Sequence, residues 1–448
     1  MKDLLSDALA RSVDYLNGLS HRPVEPRPDA IAKLEAFSGA LPDAPTAPKE
    51  VLRRLDEWGS PATIANAGPR YFGFVTGGAL PASLAANWLA GAWDQNAHFV
   101  IGSPVAAALE NTALAWVREI LGLPESWGGG FVTGTTMGNF SGLAAGRHAV
   151  LEKAGWDVEA QGLFDAPEVQ VIVGAEAHTT LLQALALVGF GRERVTTVPV
   201  DEQGRMRADR LPKLRAPSIV CLQAGNVNTG SFDPVAEIAA PAREAGAWIH
   251  LDGAFGLWAA ASPKTRHLTE GIAEVDSIAT DLHKWLNVPY DNGLALYRDP
   301  EAARQALSIT AAYLPKGEER QPCDYTPESS RRARGVEIWA ALLSLGRSGL
   351  RELIERHCRF ARHFADGLRA AGHEILNDVV LNQVLVSFGS DEQTARVIAA
   401  VQEEGTCWCS GTTWRGRGAM RISVSSWATT EEDVEQSLAA IVLVAKVT

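Results

Sequence analysis

Several chemical signatures are scarce in this 448-residue sequence. Cysteine occurs five times, at positions 221, 323, 358, 407 and 409, in spacings that suit neither a disulfide framework nor a zinc site. A reducing compartment, the cytoplasm, and no metal are therefore expected. Cys407 and Cys409, in "CWC", would face one side of a strand as two small hydrophobes. No apolar run approaches the ~18 to 20 residues needed to span a bilayer, so no membrane association is expected. Positive charge is in deficit, with 41 Lys and Arg against 53 Asp and Glu and a net charge of -12, which argues against nucleic acid as a partner. A Gly-Lys-Ser/Thr phosphate loop and a GxGxxG turn are both missing, which disfavours ATP and NAD.

What remains is the texture of a large α/β protein. The chain is long enough to split into two packed units. Its start, "MKDLLSDALARSVDYLNGL", spaces apolar residues as one face of an amphipathic helix, unlike a signal peptide. Residues 21–48 are proline-rich and read as an extended connection. Short β-branched runs follow, "VQVIVGA", "SIVCLQAGN", "AWIHLDGAF", "DSIATDLHKW" and "GLALYR", the first three separated by helical patterns. That alternation predicts a mainly parallel sheet covered by helices. The expected division is an N-terminal helical segment over 1–60, a large domain over 61–335 and a small α+β domain over 336–448.

Ligands of such sheets sit beyond the carboxyl ends of the strands. The strand pattern puts His178, Asn226, Asp252 and Lys284 near those ends, so that four polar side chains gather on one rim. Each has a plain structural reading as a turn, cap or surface residue. Together they are harder to dismiss, because a buried aspartate and a buried lysine each cost several kcal/mol unless partnered. An ion pair between Asp252 and Lys284 is the structural alternative.

A phosphate cradle elsewhere favours the chemical reading. "GGGFVTGTTMGNFSGLAAGR", residues 128–147, combines a glycine-rich turn, the hydroxyls of Thr135 and Thr136, and a helix start whose free N–H groups suit phosphate. A small phosphorylated cofactor fits there. With a lysine and an aspartate on the same rim, pyridoxal phosphate is indicated: the amine binds its aldehyde and the carboxylate holds its ring nitrogen protonated. His178 is the candidate to stack on the ring.

Taken with "RYFGFVTGG", "TGTTMGN", "EAHTT", "AGNVNTGSFDP", "HLDGAFG", "DLHKWLNVPYDNG", "SRRARGVEIWAAL" and "MRISVSSWATTEEDV", the chain resembles the group II pyridoxal-phosphate-dependent amino-acid decarboxylases of fold type I, the family of the aromatic amino-acid and glutamate decarboxylases. The resemblance covers most of the chain, and "HKW" followed by "PYDNG" is its most specific part. It implies a seven-stranded large domain and a homodimer whose N-terminal helices wrap the partner and whose active sites lie at the subunit interface. It also implies roles: Lys284 for the covalent link, Asp252 for the ring nitrogen, His178 for stacking, and Thr135, Thr136 and His283 for the phosphate. Asn226 and Asn228 fall in the loop below the cofactor. Asp281 stands where the family often has Asn or Ser, and a carboxylate beside a phosphate would be repelled, so it is expected to point away.

For the substrate, the resemblance nominates Tyr71, Phe72 and Phe74, with core packing as the alternative, and Arg421 for the α-carboxylate. Tyr313 and Tyr325 bracket a loop comparable to the one that carries the family's proton-donating tyrosine. The implied activity is decarboxylation of an aromatic or bulky apolar L-amino acid to its amine. The alternatives are aldehyde-forming deamination, transamination, carbon-carbon cleavage, or a non-catalytic scaffold.

Overall fold

The structure is a computed structural model and describes residues 1–308 and 319–448. The chain forms two compact units. One joins Met1–Gly78 to Phe360–Leu376 and Val384–Thr448; the other joins Ala79–Arg359 to Asn377–Gln383. These bounds differ from divisions at 60 and 335. Residues 70–72 extend their backbone along the C-terminal region: Trp408 N–H donates to Arg70 O at 3.1 Å, Phe72 N–H to Trp408 O at 2.8 Å, and Ser423 N–H to Phe72 O at 2.9 Å. Those bonds tie the start of the chain to its end.

The unit built on Ala79–Arg359 carries a seven-stranded sheet of β1 (Gly128–Val132), β2 (Gln170–Gly174), β3 (Thr196–Val198), β4 (Ser218–Gln223), β5 (Trp248–Asp252), β6 (Ser277–Asp281) and β7 (Gly293–Tyr297), in the order β1-β7-β6-β5-β4-β2-β3. Strands β2 to β6 pair in parallel; β7 runs antiparallel to β6 and to β1. Every residue of β4, β5, β6 and β7 is buried. A sheet covered on both faces needs continuous apolar runs, and that is why these segments do not alternate.

The helix Thr135–Lys153 lies on this sheet, and three glycines at four-residue spacing make that approach possible. A Cβ on Gly138 would sit 2.9 Å from Ala279 Cβ, one on Gly142 2.7 Å from the His250 ring, and one on Gly146 2.6 Å from the Trp248 ring. Register then assembles the rim. Val132 and Asp281 both pair with Gly293, while Asp252 pairs with Gln223 and Ala279. A Cβ on Gly293 would fall 2.5 Å from Gly134 Cα, so glycine is required where the start of β7 passes the turn leading into the helix.

The other unit holds a four-stranded sheet of β8 (Glu374–Ile375), β9 (Gln383–Ser387), β10 (Ser410–Trp414) and β11 (Arg417–Ser423), ordered β10-β11-β9-β8. The helices Asp391–Glu404 and Glu431–Val447 belong to the same unit, the second opened by a capping box between Thr430 and Asp433. Cys407 and Cys409 are fully buried. The proline-rich segment is not wholly extended: Pro28 opens a short helix to Ala32, continued by a 3-10 turn over Lys33–Phe37. A fixed φ suits proline to the first helical position.

Candidate active site

A cavity of about 300 Å³ opens on the rim and is lined by Thr133–Thr136, His178, Thr180, Gln223, Gly225, Val227, Asp252, Ala254, Phe255, Asp281, His283 and Lys284. Thr135 begins the helix Thr135–Lys153, and its N–H donates to Asp281 Oδ1 at 2.6 Å. Its hydroxyl is buried without a hydrogen-bond partner among the described residues. Lys284 stands three residues past the end of β6 and places its Nζ 2.8 Å from Asp281 Oδ2. His283 Nε2 is 3.5 Å from Asp281 Oδ1, while its Nδ1 accepts from Asn292 N–H at 3.0 Å.

Asp281 therefore turns into the cavity, contrary to the sequence reading. A helix start, an ammonium and an imidazole all face it, and these draw the carboxylate inward. Lys284 accordingly pairs with Asp281 and not with Asp252. Burial works to lower the Lys284 pKa, but Asp281 outweighs it and the net shift is upward. For Asp281, burial works upward while Lys284, His283 and the Thr135 N–H carry the net shift downward. Both groups are held charged.

Asp252, at the end of β5, is buried. Its Oδ2 accepts from Asn139 Nδ2 at 2.9 Å and its Oδ1 from Ala254 N–H at 3.1 Å. Burial pushes its pKa up, against the Asn139 amide and the nearby His178 and Lys284. His178 caps the helix Thr179–Leu187: its Nδ1 accepts from Thr180 N–H at 3.3 Å and lies 2.7 Å from the Thr180 hydroxyl. Trp285, next to the lysine, is fully buried and donates from Nε1 to His357 Nδ1 at 2.8 Å, anchoring the turn.

Other candidates fall elsewhere. The Asn226 side chain serves its own loop, Oδ1 accepting from Asn228 N–H at 2.9 Å and Thr229 N–H at 3.2 Å, so it forms a turn and does not line the cavity. Tyr325 packs behind β1, its carbonyl accepting from the Tyr297 hydroxyl at 3.1 Å and its ring covered by the Arg320 guanidinium at 4.9 Å. Phe72 is fully buried edge-on against Phe364, with centroids 5.1 Å apart, and is a core residue of its unit. Tyr71 stacks on Trp408 at 5.0 Å, and Arg421 is buried on β11 of that same unit. Phe74 is exposed at a φ of 52°. Tyr313 lies outside the described residues.

Three residues escaped sequence reasoning. Asp281 was in view but turned the wrong way. Tyr290, inside "PYDNG", stacks on His283 with centroids 4.3 Å apart. Asn139 is one helical turn past Thr135; the glycines at 138, 142 and 146 mark the sheet-facing side of that helix, which was the available signal.

Residues 37–389 match the pyridoxal-dependent decarboxylase conserved domain. The chain belongs to the pyridoxal-dependent decarboxylases. Among relatives of this decarboxylase, the aromatic-L-amino-acid decarboxylase of Bacillus atrophaeus is 25% identical, over 96% of this chain and 93% of the relative. Tryptophan decarboxylase 1 of Oryza sativa subsp. japonica is 27% identical, over 95% and 89%. The fold matches that of the Oryza sativa TDC crystallised with PLP and tryptamine, with a TM-score of 0.91, 23% identity and coverage of 99% and 97%. The decarboxylase is thus a pyridoxal-phosphate enzyme acting on an amino acid.

Its cavity fits that cofactor. The unpartnered Thr135 hydroxyl stands at a helix N-terminus, where an anion is favoured. Asp252 is buried and lines the cavity, while the contact ion pair of Lys284 is with Asp281, so a ligand cation placed there would find a carboxylate to meet. A protonated ring nitrogen is such a cation.

Proposed function

We propose that the decarboxylase converts an aromatic or bulky apolar L-amino acid to its amine and carbon dioxide. The observation that carries this reading is the convergence in one cavity of the Lys284 amine, the buried Asp252 carboxylate, His178 and the helix start with its spare Thr135 hydroxyl. In this reading Lys284 binds the cofactor aldehyde and Asp252 holds the ring nitrogen protonated. His178 covers the ring face, and Thr135, Thr136 and His283 hold the phosphate. When bound, pyridoxal phosphate supplies a ring that accepts the electron pair left at Cα as carbon dioxide departs. Phe255 and Val227 on the cavity wall limit water there, which favours dispersal of the carboxylate charge.

The substrate class is supported by the names of the relatives, aromatic-L-amino-acid, tryptophan and tyrosine decarboxylases. A homodimer is supported by Leu5, Leu9, Val13 and Leu16, which lie exposed along one stripe of the helix Lys2–Gly18. A second copy would cover that stripe, with residues 1–60 wrapping the partner. Five cysteines without a disulfide support a cytoplasmic setting. No helix among the described residues is long and apolar enough to cross a membrane.

Some relatives are aldehyde synthases, such as phenylacetaldehyde synthase of Petunia hybrida at 25% identity. The test is a panel of amino acids incubated with purified holoenzyme, with carbon dioxide, amine, aldehyde and keto acid quantified separately. Equal amounts of amine and carbon dioxide from tryptophan, tyrosine or phenylalanine are expected. Aldehyde in place of amine would transfer the reading to the synthases, and keto acid without carbon dioxide would refute it.

A further inference from the structure

Behind Asp252 runs a buried chain of polar groups: Asn139, His250, Ser277 and Trp248, the first three fully buried and Trp248 nearly so. Asn139 Oδ1 lies 2.9 Å from His250 Nε2, His250 Nδ1 lies 2.8 Å from Ser277 Oγ, and Trp248 Nε1 donates to Ser277 Oγ at 2.9 Å. The polarity of this chain is set from its carboxylate end. An indole N–H can only donate and an ionised carboxylate can only accept. The Ser277 hydroxyl accepts from Trp248 and, toward a neutral His250 protonated on Nε2, donates to Nδ1; its alternative acceptor, Gly142 O, is farther away at 3.4 Å. His250 then carries its proton on Nε2 and donates to Asn139 Oδ1, which turns the Asn139 NH2 toward Asp252.

The opposite tautomer would require the Asn139 amide to flip and present its oxygen to the carboxylate. Two acceptors would then meet in a buried space, a loss on the scale of an unsatisfied buried group. Burial also holds the His250 pKa down at about 3, so the ring is neutral and adds no cation beside Asp252.

We propose that Asn139 and His250 are positioning residues that keep the Asp252 carboxylate ionised and oriented, available to a ligand cation. This rests on the reading of Asp252 as the partner of the cofactor ring nitrogen. The glycines at 142 and 146 serve the same end, since a side chain at either would push the helix off His250 or Trp248.

The test is a double-mutant cycle on cofactor affinity, read by equilibrium titration of apoenzyme with pyridoxal phosphate. Inorganic phosphate is titrated in parallel as a probe of the cradle alone. His250→Leu is expected to weaken pyridoxal phosphate binding about tenfold and to leave inorganic phosphate binding unchanged. His250→Gln, whose amide can still donate to Asn139, is expected to recover most of the loss. In an Asp252→Asn background, His250→Leu is expected to add less than about twofold, because the group it acts through is gone.

Equal weakening in both backgrounds, or parallel loss of inorganic phosphate binding, would overturn the proposal by making His250 a general structural residue. If His250→Leu does not fold, Ser277→Ala releases Nδ1 with a smaller excision and is read through the same cycle. Its effect should again vanish without Asp252, and additivity overturns the proposal. Asp252→Asn without effect on affinity would overturn the Asp252 reading and this one with it. A large Asp252→Asn effect beside a silent His250→Leu would overturn the relay alone.

Discussion

Replacing Lys284 by methionine in the apoenzyme should cost more stability than replacing Asp281 by asparagine, and the second change should rescue the first. The ammonium and carboxylate are 2.8 Å apart, with side chains 22% and 5% exposed. At an effective dielectric of about 20, that separation gives about 6 kcal/mol of gross attraction. Desolvation of two ions offsets several kcal/mol of it, which leaves a net coupling of about 1.5 to 3 kcal/mol, the range of hydrogen bonds to charged groups.

Lys284→Met takes the ammonium from a carboxylate that water barely reaches but leaves it the Thr135 N–H and His283, a loss toward the lower end of about 3 to 5 kcal/mol. Asp281→Asn strands an ammonium that is partly in water and should cost less. Urea unfolding of apoenzyme at pH 7 and fixed protein concentration measures all four corners of the cycle. The folded pKa of Asp281 lies below its ordinary 3.8, so its contribution is present above that value and lost as pH falls through the folded pKa. The folded pKa of Lys284 lies above its ordinary 10.5, so its contribution is present below that value and lost as pH rises through the folded pKa. The coupling should be full between those values and fade on both sides. Additivity within about 0.5 kcal/mol at pH 7 would refute the pair, as would a cost for Lys284→Met no larger than for Asp281→Asn.

Thr135→Val should weaken pyridoxal phosphate binding about tenfold while changing the apoenzyme melting temperature little, since the hydroxyl has no partner among the described residues; titration and thermal melts check both halves. Gly142→Ala should destabilise by about 1 to 3 kcal/mol, because its Cβ would lie 2.7 Å from the His250 ring; a melting curve no lower than wild type would count against the helix-sheet contact. Trp285→Phe removes the buried bond to His357 and should cost about 1 to 3 kcal/mol, measured by urea unfolding of the apoenzyme.

Much of the site was legible because strand ends are legible. Asp252 closes the run "WIHLD" and occupies the last residue of β5, and the glycine-rich turn before Thr135 does lead into a helix. Lys284 and His178 lie three and four residues beyond their strands, yet within reach of the same cavity. Asn226 bonds its own loop, and an asparagine beside a strand end has two uses, contacting a ligand or bonding its own loop, which sequence does not separate. Tyr325 and Phe72 pose a similar choice, since an aromatic ring suits a core as well as a pocket, and Phe72 takes the core-packing alternative within its unit.

The sequence by itself determined which residue types were available and on which segments: continuous apolar runs that must be buried on both faces, a glycine ridge that admits a helix, and a lysine, an aspartate and two threonines close to segment ends. These follow from local periodicity and from the small size of glycine, which need no knowledge of partners. Only the tertiary structure decided the pairings. It gave Lys284 to Asp281 and left Asp252 to Asn139, because β6 carries Asp281 to the start of the helix Thr135–Lys153 while β5 ends one strand away, beneath the Asn139 amide. A charge finds its partner through space, and the register of strands distant in sequence sets which carboxylate each cation meets.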